Sequence, residues 1–178
     1  VAQEAVRGIV ADCIDSILSN SHTLVWVSQL SRKSATLENH ALSICVLAIA
    51  FGRYLGFERS KLEDLGVAAL LHDIGMVKLP DKLIAEIAYH DDTLSPFQYE
   101  QVKRHTTLGR DILMSSSACM GAVDVAYSQH EFFDGSGYPR GLKGVTIPNL
   151  AKIIAIADAY DAITNVNSYK SVESSLDG

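Results

Sequence analysis

Apolar residues recur every three or four positions along most of the chain, which is the spacing of amphipathic α-helices. This pattern predicts a helix over residues 2–20 and a short helix or connector over 22–34. A longer helix is predicted over 37–55. Because apolar residues occupy most of its faces, it is expected at the centre of the fold. The hydrophobic pattern therefore predicts an all-α domain.

Capping and stop residues mark the later helices. Ser60 is predicted to cap a helix that carries His72 and Asp73 and stops at Gly75. Ser95, Pro96 and Gln98 form a capping-box start signal. The remaining predicted elements are a loop over 76–81, helices over 82–89, from Ser95 to near His105, from Thr107 onward, over 121–131 and from Pro148 through Ile163, and a glycine-rich loop over 133–142.

Composition narrows the class of protein. The 178 residues are 48% hydrophobic, enough for one compact domain with a substantial core. A net charge of −6 argues against binding a nucleic-acid polymer, and the longest apolar stretch is too short to span a bilayer. The three cysteines form no CxxC pair and the start lacks a secretory pattern, so a reducing cytoplasm is predicted. The missing initiator Met and polar end indicate a piece of a longer protein.

Potential metal ligands recur about once per predicted helix. A single histidine on a buried helix is more often a hydrogen-bonded core residue, but six nitrogen and oxygen ligands in series indicate a site for two divalent ions. Imidazole and carboxylate without thiolate favour Mn, Fe, Co or Ni over a structural Zn site. Such a site suits phosphoester hydrolysis, because two metals polarise a phosphodiester oxygen and activate water. The predicted ligands are His40, His72, Asp73, His105, His130 and Asp158.

The order of these motifs resembles the HD-GYP family of bacterial cyclic-dinucleotide phosphodiesterases. The most specific part is the string from Asp134 through Gly137-Tyr138-Pro139 to Gly141; the His72-Asp73 pair is shared by many phosphohydrolases. The resemblance implies an HD-domain-like helical bundle that hydrolyses cyclic di-GMP to pGpG or GMP in bacterial second-messenger signalling. It also implies a centre of two or three divalent ions, Fe or Mn first, with Ni, Co or Zn as alternatives.

Carried over residue by residue, the resemblance assigns roles. All six ligands would hold metal, with His72 and Asp73 as the catalytic pair and the Asp73 carboxylate bridging both ions. Tyr138, Lys170 and Arg140 would form the substrate-binding set, although Arg140 on a loop also suits a partner contact or simple solvation. Around the metals, Gln129 would hydrogen-bond a metal-bound water, Glu131 would orient His130 or form a solvated helix end, and Asp161 would support the ligands or stabilise its helix.

The chain departs from the family pattern at four places. Gln129 stands where most members have the first of two adjacent histidines, and Thr36 stands where three-metal members have a glutamate. A binuclear centre is therefore predicted. Met76 replaces the usual lysine after the HD pair, and Asn167 replaces an arginine that often binds substrate.

These departures leave two alternatives to a cyclic di-GMP phosphodiesterase open. One is a phosphodiesterase that prefers cyclic GMP-AMP, and the other is a weakly active, metal-containing sensor or interaction module. The expected organisation is an N-terminal helical segment over 1–34 that packs on or leads into an HD-GYP domain over 35–178, whose C-terminal end is truncated. A regulatory or diguanylate cyclase protein is the expected partner, and the sequence does not predict the oligomeric state.

Overall fold

The regular structure is entirely helical in the part of the chain that the computed structural model describes. That part comprises residues 2–19, 37–89, 94–116 and 118–173, with side chains in the last helix described through Thr164. The helices are α1 (Ala2–Ser19), α2 (Leu37–Tyr54), α3 (Arg59–Leu71), α4 (Asp81–Tyr89), α5 (Pro96–Ser115), α6 (Met120–Ser128) and α7 (Asn149–Glu173), with short 3₁₀ helices at Ile74–Lys78 and Gly144–Thr146. The all-α prediction is confirmed.

Helix α3 lies at the centre of the bundle. It packs against α1, α2, α6 and α7, and Leu65, Ala68 and Ala69 are fully buried. Gly66 lets α1 approach, because a Cβ there would lie 2.7 Å from Cγ1 of Val10. Val10 therefore belongs to the same hydrophobic core as α2, α3, α6 and α7.

Several element boundaries differ from the predictions. Helix α5 runs unbroken from Pro96 to Ser115, so the predicted break near His105 is wrong. The hydroxyl of Thr106 donates to the Lys103 carbonyl (2.9 Å), so this polar side chain is satisfied inside the helix. The predicted capping box is confirmed, since Ser95 and the Gln98 side chain bond each other's backbone N–H.

The helix that precedes His72 and Asp73 is also shorter than predicted. It begins at Arg59 and ends at Leu71, so Ser60 lies in its first turn and His72 at its C-cap. The predicted loop after Gly75 is instead largely a 3₁₀ helix, Ile74–Lys78. Helix α6 ends at Ser128, and α7 continues to Glu173. The segment predicted over 22–34 lies outside the described residues.

A close backbone approach joins the Ile74–Lys78 helix to α5. A Cβ on Gly75 would lie 1.9 Å from the His105 carbonyl oxygen and 2.6 Å from the Gly109 nitrogen. Only glycine allows this packing, and it brings the chain just after Asp73 against the turn of α5 that carries His105. Met76 is buried beside Leu79 in a small second core, which explains an apolar residue there. No helix among the described residues is long and apolar enough to cross a membrane.

Candidate metal centre

The six predicted ligands converge at one end of the bundle in two groups of three. One group is His40, His72 and Asp158; the other is Asp73, His105 and His130. Within each group the candidate ligand atoms all lie within 4.8 Å of one another. Five helices or helix ends contribute, so the site exists only because α2, α3, α5, α6 and α7 pack together.

His40 is held between two carboxylates of α7. Its Nε2 lies 3.3 Å from Oδ1 of Asp158, and its Nδ1 lies 3.1 Å from Oδ2 of Asp161. Burial lowers the pKa of His40, but the hydrogen-bonded carboxylates outweigh it and raise the pKa to about 10. Asp161 is itself buried, so it can fix the imidazole while Nε2 faces Asp158. Such a contact is how Asp161 would hold a metal-ligating His40 in place, as the sequence predicted.

His72 is buried and oriented by the backbone of its own helix. Its Nδ1–H donates to the Ala69 carbonyl (2.7 Å), so the lone pair of the neutral ring lies on Nε2. That nitrogen is buried and has no hydrogen-bond partner among the described residues. A buried acceptor left in this way is costly, and a metal ion would satisfy it.

His105 is oriented in the same manner on α5. Its Nδ1–H donates to the Val102 carbonyl (2.7 Å), which leaves Nε2 for the site. The ring packs edge-to-face with His130 at a centroid distance of 5.0 Å. Burial, followed by the influence of the neighbouring His105, lowers the pKa of His130 to about 4.

Asp73 connects the two groups. Its Oδ2 lies 3.4 Å from Nε2 of His72, and its Oδ1 lies 3.3 Å from Nε2 of His105. Burial raises the pKa of Asp73, but His72 and His105 outweigh this and hold the pKa far below its usual range. The carboxylate is thus ionised, with one oxygen toward each group. This is the arrangement that a bridging ligand requires.

Three observations fit divalent metal ions at these residues. The donors are imidazole nitrogens and carboxylate oxygens, two of the imidazoles have their tautomers set by backbone carbonyls, and one buried ring nitrogen, Nε2 of His72, has no hydrogen-bond partner in the described part of the chain. Metal-ligating histidines typically donate their other ring N–H to a carbonyl or carboxylate in this way.

Gln129 lies inside the site rather than at its edge. Its Nε2 donates to Oδ1 of Asp73 (2.8 Å) and to the His72 carbonyl (3.0 Å), and it lies 3.3 Å from Nε2 of His105. Its Oε1 is buried without a hydrogen-bond partner among the described residues. The amide therefore contacts the candidate ligands directly, and the predicted hydrogen bond from Gln129 to a metal-bound water stays a prediction.

Glu131 holds the glycine-rich loop beside the second ligand group through hydrogen bonds. Both carboxylate oxygens accept hydrogen bonds from loop backbone, one from the Arg140 N–H and one from the Leu142 N–H (both 2.8 Å). Because Glu131 is buried, its interpretation as a solvated helix end is wrong. Gly137 permits the tight fold of the loop, since a Cβ there would lie 2.3 Å from the Phe132 nitrogen.

Tyr138 reaches the metal ligands from this loop. Its N–H donates to the His130 carbonyl (3.0 Å), and its ring stacks on His130 at 4.9 Å between centroids. Burial raises the pKa of its hydroxyl, which is therefore protonated at neutral pH.

Two residues that the sequence did not single out, Tyr99 and Lys103, form a substrate wall together with Tyr138. Tyr99 packs edge-to-face on Tyr138 (6.4 Å between centroids), and the Lys103 ammonium lies 4.8 Å from the Tyr99 centroid and 5.5 Å from that of Tyr138. Tyr99 and Lys103 lie four residues apart on α5, but no signal in the sequence places them beside Tyr138, which is on a distant loop.

The other two residues predicted to bind substrate are Arg140 and Lys170. No described interaction joins either of them to the candidate metal ligands. The Arg140 guanidinium donates to the Ser128 hydroxyl (2.7 Å) and lies 4.6 Å from the Tyr127 ring centroid. Lys170 is in helix α7, but its side chain lies outside the described residues. Both assignments stay predictions, as do those resting on Asn167 and Thr36, which the described side chains do not include.

Comparison with known protein families agrees with the helical fold and the candidate metal ligands. A family model described as the HD domain matches residues 20–177. The chain belongs to the HD domain family. The HD-GYP resemblance drawn from the motif order is confirmed by the relatives of this HD domain chain.

Two of those relatives and one solved structure illustrate what the chain is similar to. A Pseudomonas aeruginosa protein named as a cyclic di-GMP phosphodiesterase is 32% identical over 91% of this HD domain chain and 38% of its own length. A Vibrio cholerae protein named as a 3'3'-cGAMP-specific phosphodiesterase is 31% identical over 84% of the chain and 34% of its own length. An HDG"Y"P protein of Bdellovibrio bacteriovorus shares the fold, with a TM-score of 0.78 and 24% identity over 90% of this chain and 52% of that one. The chain thus spans well under half the length of these two curated relatives.

Proposed function

We propose that this HD domain is a metal-dependent phosphodiesterase that hydrolyses cyclic di-GMP to pGpG or GMP. The observation that carries the proposal is the Asp73 carboxylate, whose two oxygens face histidines of two separate ligand groups. The curated relatives, which include cyclic di-GMP phosphodiesterases, support the substrate class.

The six ligands would hold two divalent ions, Fe or Mn first. When bound, two such ions polarise a phosphodiester oxygen and lower the pKa of water. The chain's own contribution is positioning. The Ala69 and Val102 carbonyls would orient His72 and His105, and Asp161 would orient His40.

Substrate would be held by the wall next to the second ligand group. The Tyr138 and Tyr99 rings offer surfaces for stacking on a guanine base. The Lys103 ammonium lies close to both rings and pairs with Glu100 at 2.6 Å. It would exchange this exposed partner for a phosphate oxygen of the substrate. This contact would partly replace the lysine that the chain lacks at Met76.

Metal content and turnover, measured on the same purified sample, test the proposal. We expect about two ions per chain, as the two ligand groups require, and release of pGpG or GMP with Mn or reduced Fe. The variant Asp73→Asn keeps the shape of the side chain but loses its charge, so both ions should be lost while circular dichroism is unchanged. Full metal retention by Asp73→Asn would refute the bridging role.

The substrate wall needs a different readout. Tyr138→Ala should leave metal content unchanged and raise KM by about tenfold, since one base-stacking contact contributes roughly 1–3 kcal/mol. Tyr54→Ala is the matched control, because Tyr54 is 85% exposed. An unchanged KM in Tyr138→Ala would remove this residue from substrate binding.

A preference for cyclic GMP-AMP is the second candidate function, favoured by the cGAMP-specific relative. Competition between the two cyclic dinucleotides in one reaction separates the candidates: preferred loss of cyclic GMP-AMP would replace the first proposal.

The position of Gln129 among the ligands favours a third candidate, a weakly active sensor. Two bound ions without product under either metal would support it.

A further inference from the structure

A pocket of about 220 Å³ opens between α1, the end of α3 and the last turns of α5. Helix α1 packs on α2 and α3, and the pocket is the space left between α1 and α5. Val67, Leu71, Ile74 and Ile112 form much of its wall. None of the six candidate metal ligands lines it, so it is separate from the metal centre.

Among the described residues that line this pocket, one side chain is charged. Arg7 of α1 is exposed to solvent, and no ion pair or hydrogen bond is recorded for its guanidinium within the described ranges. The other lining residues are apolar or, in Ser116 and Cys119, uncharged. A hydrocarbon wall with one free cation suits a ligand that has an apolar body and a single anionic end.

The volume limits the size of that ligand. An apolar cavity of about 150 Å³ holds a benzene molecule. The present pocket is somewhat larger at 220 Å³, so it fits a hydrocarbon chain of about eight carbons on the same scale. A carboxylate is the anion that a guanidinium binds in bidentate geometry.

We propose that this pocket binds a medium-chain carboxylate, with its hydrocarbon body between α1 and α5 and its carboxylate on Arg7. Such a ligand would contact two parts of the chain that are distinct in sequence. Arg7 precedes the residues matched by the HD domain model, which begins at residue 20. Leu71 and Ile74, in contrast, directly flank the His72-Asp73 pair. The pocket therefore lies where the N-terminal helix meets the metal-binding motif.

Calorimetry on the full chain with octanoate, octanol, octylamine and butyrate tests the binding. Octanoate should bind at least about tenfold more tightly than octanol, since a hydrogen bond to a charged group contributes roughly 1.5–3 kcal/mol. Octylamine should bind more weakly than octanol because Arg7 repels it, and butyrate should bind weakly for lack of apolar area. Equal binding of octanoate and octylamine, or no octanoate binding at millimolar concentration, would overturn the proposal.

Variants locate the site. Arg7→Gln should reduce octanoate affinity about tenfold and leave octanol binding unchanged, whereas the matched control Arg104→Gln, on the exposed face of α5, should change neither. Val67→Phe should abolish binding by filling the pocket. If Val67→Phe does not fold, Ala118→Phe fills the pocket from the loop before α6. Octanoate binding that survives in a folded filled variant would place the ligand elsewhere.

Discussion

Gln129 is the residue that most distinguishes this metal centre. Its amide donates to the Asp73 carboxylate and to the His72 carbonyl, 56 and 57 residues away along the chain. An amide in this position competes with a metal for the Asp73 oxygen. It also leaves the second group with two imidazoles, His105 and His130.

Gln129→His should therefore strengthen the second metal position. The added imidazole is a better ligand than an amide and no longer donates to Asp73. We expect a rise in metal per chain and an increase of roughly tenfold in turnover, the scale by which changes next to metal ligands alter activity. Gln129→Ala serves as the control that removes the amide without adding a ligand. Equal metal content in all three proteins would contradict this account.

At the scale of elements, the close approach between the Ile74–Lys78 helix and α5 sets the geometry of the site. Gly75→Ala would place a methyl group 1.9 Å from the His105 carbonyl oxygen, so the two elements must separate. We expect a loss of about 1–3 kcal/mol in the free energy of unfolding, together with weaker metal binding, in urea titrations and metal assays.

Gly8 of α1 provides the matched control for this substitution. A Cβ there meets nothing within 4 Å, and alanine favours a helix over glycine. Gly8→Ala should therefore stabilise the fold by about 0.5–1 kcal/mol. If Gly75→Ala is as stable as the parent, the close approach does not exist in solution.

The glycine-rich loop depends on a single buried carboxylate in a similar way. Glu131→Gln places an amide nitrogen against a backbone N–H that now donates to Glu131. The cost should be about 1.5–3 kcal/mol, and KM should rise because Tyr138 loses its fixed position, whereas metal content should not change. Glu63→Gln, at an exposed pair with Arg59, should cost less than about 1 kcal/mol. A Glu131→Gln protein with normal KM would show that the loop is held by other contacts.

At the scale of the whole molecule, α1 is part of the core. Ile14 is fully buried and joins the cluster formed by α2, α3, α6 and α7. Ile14→Ala should cost about 2–5 kcal/mol, with one cooperative transition in circular dichroism. Ile9→Ala is the control, because Ile9 is 48% exposed. A separate early transition for Ile14→Ala would show that α1 unfolds by itself.

Much of the architecture was predictable from the sequence because its signals are local. Helical periodicity placed α1, α2, α4 and α7 near their observed starts, and the Ser95 capping box placed the start of α5. The break predicted within α5 was wrong, since Thr106 satisfies its hydroxyl on the turn before it. Local signals failed where a polar side chain had a partner inside the helix.

The sequence by itself determined which side chains are available for chemistry: their motif order indicated the family, and their donor atoms indicated a metal centre. Only the tertiary structure decided how they pair. His40 bonds an aspartate 121 residues away, Asp73 faces both ligand groups, and Glu131 turns to the loop rather than to solvent. The tertiary structure alone also placed Lys103 beside Tyr99 and Tyr138 and Arg7 at the rim of an apolar pocket. The physical reason is that a helix forms from neighbours in the chain, whereas a site forms where packed helices bring distant side chains within bonding distance.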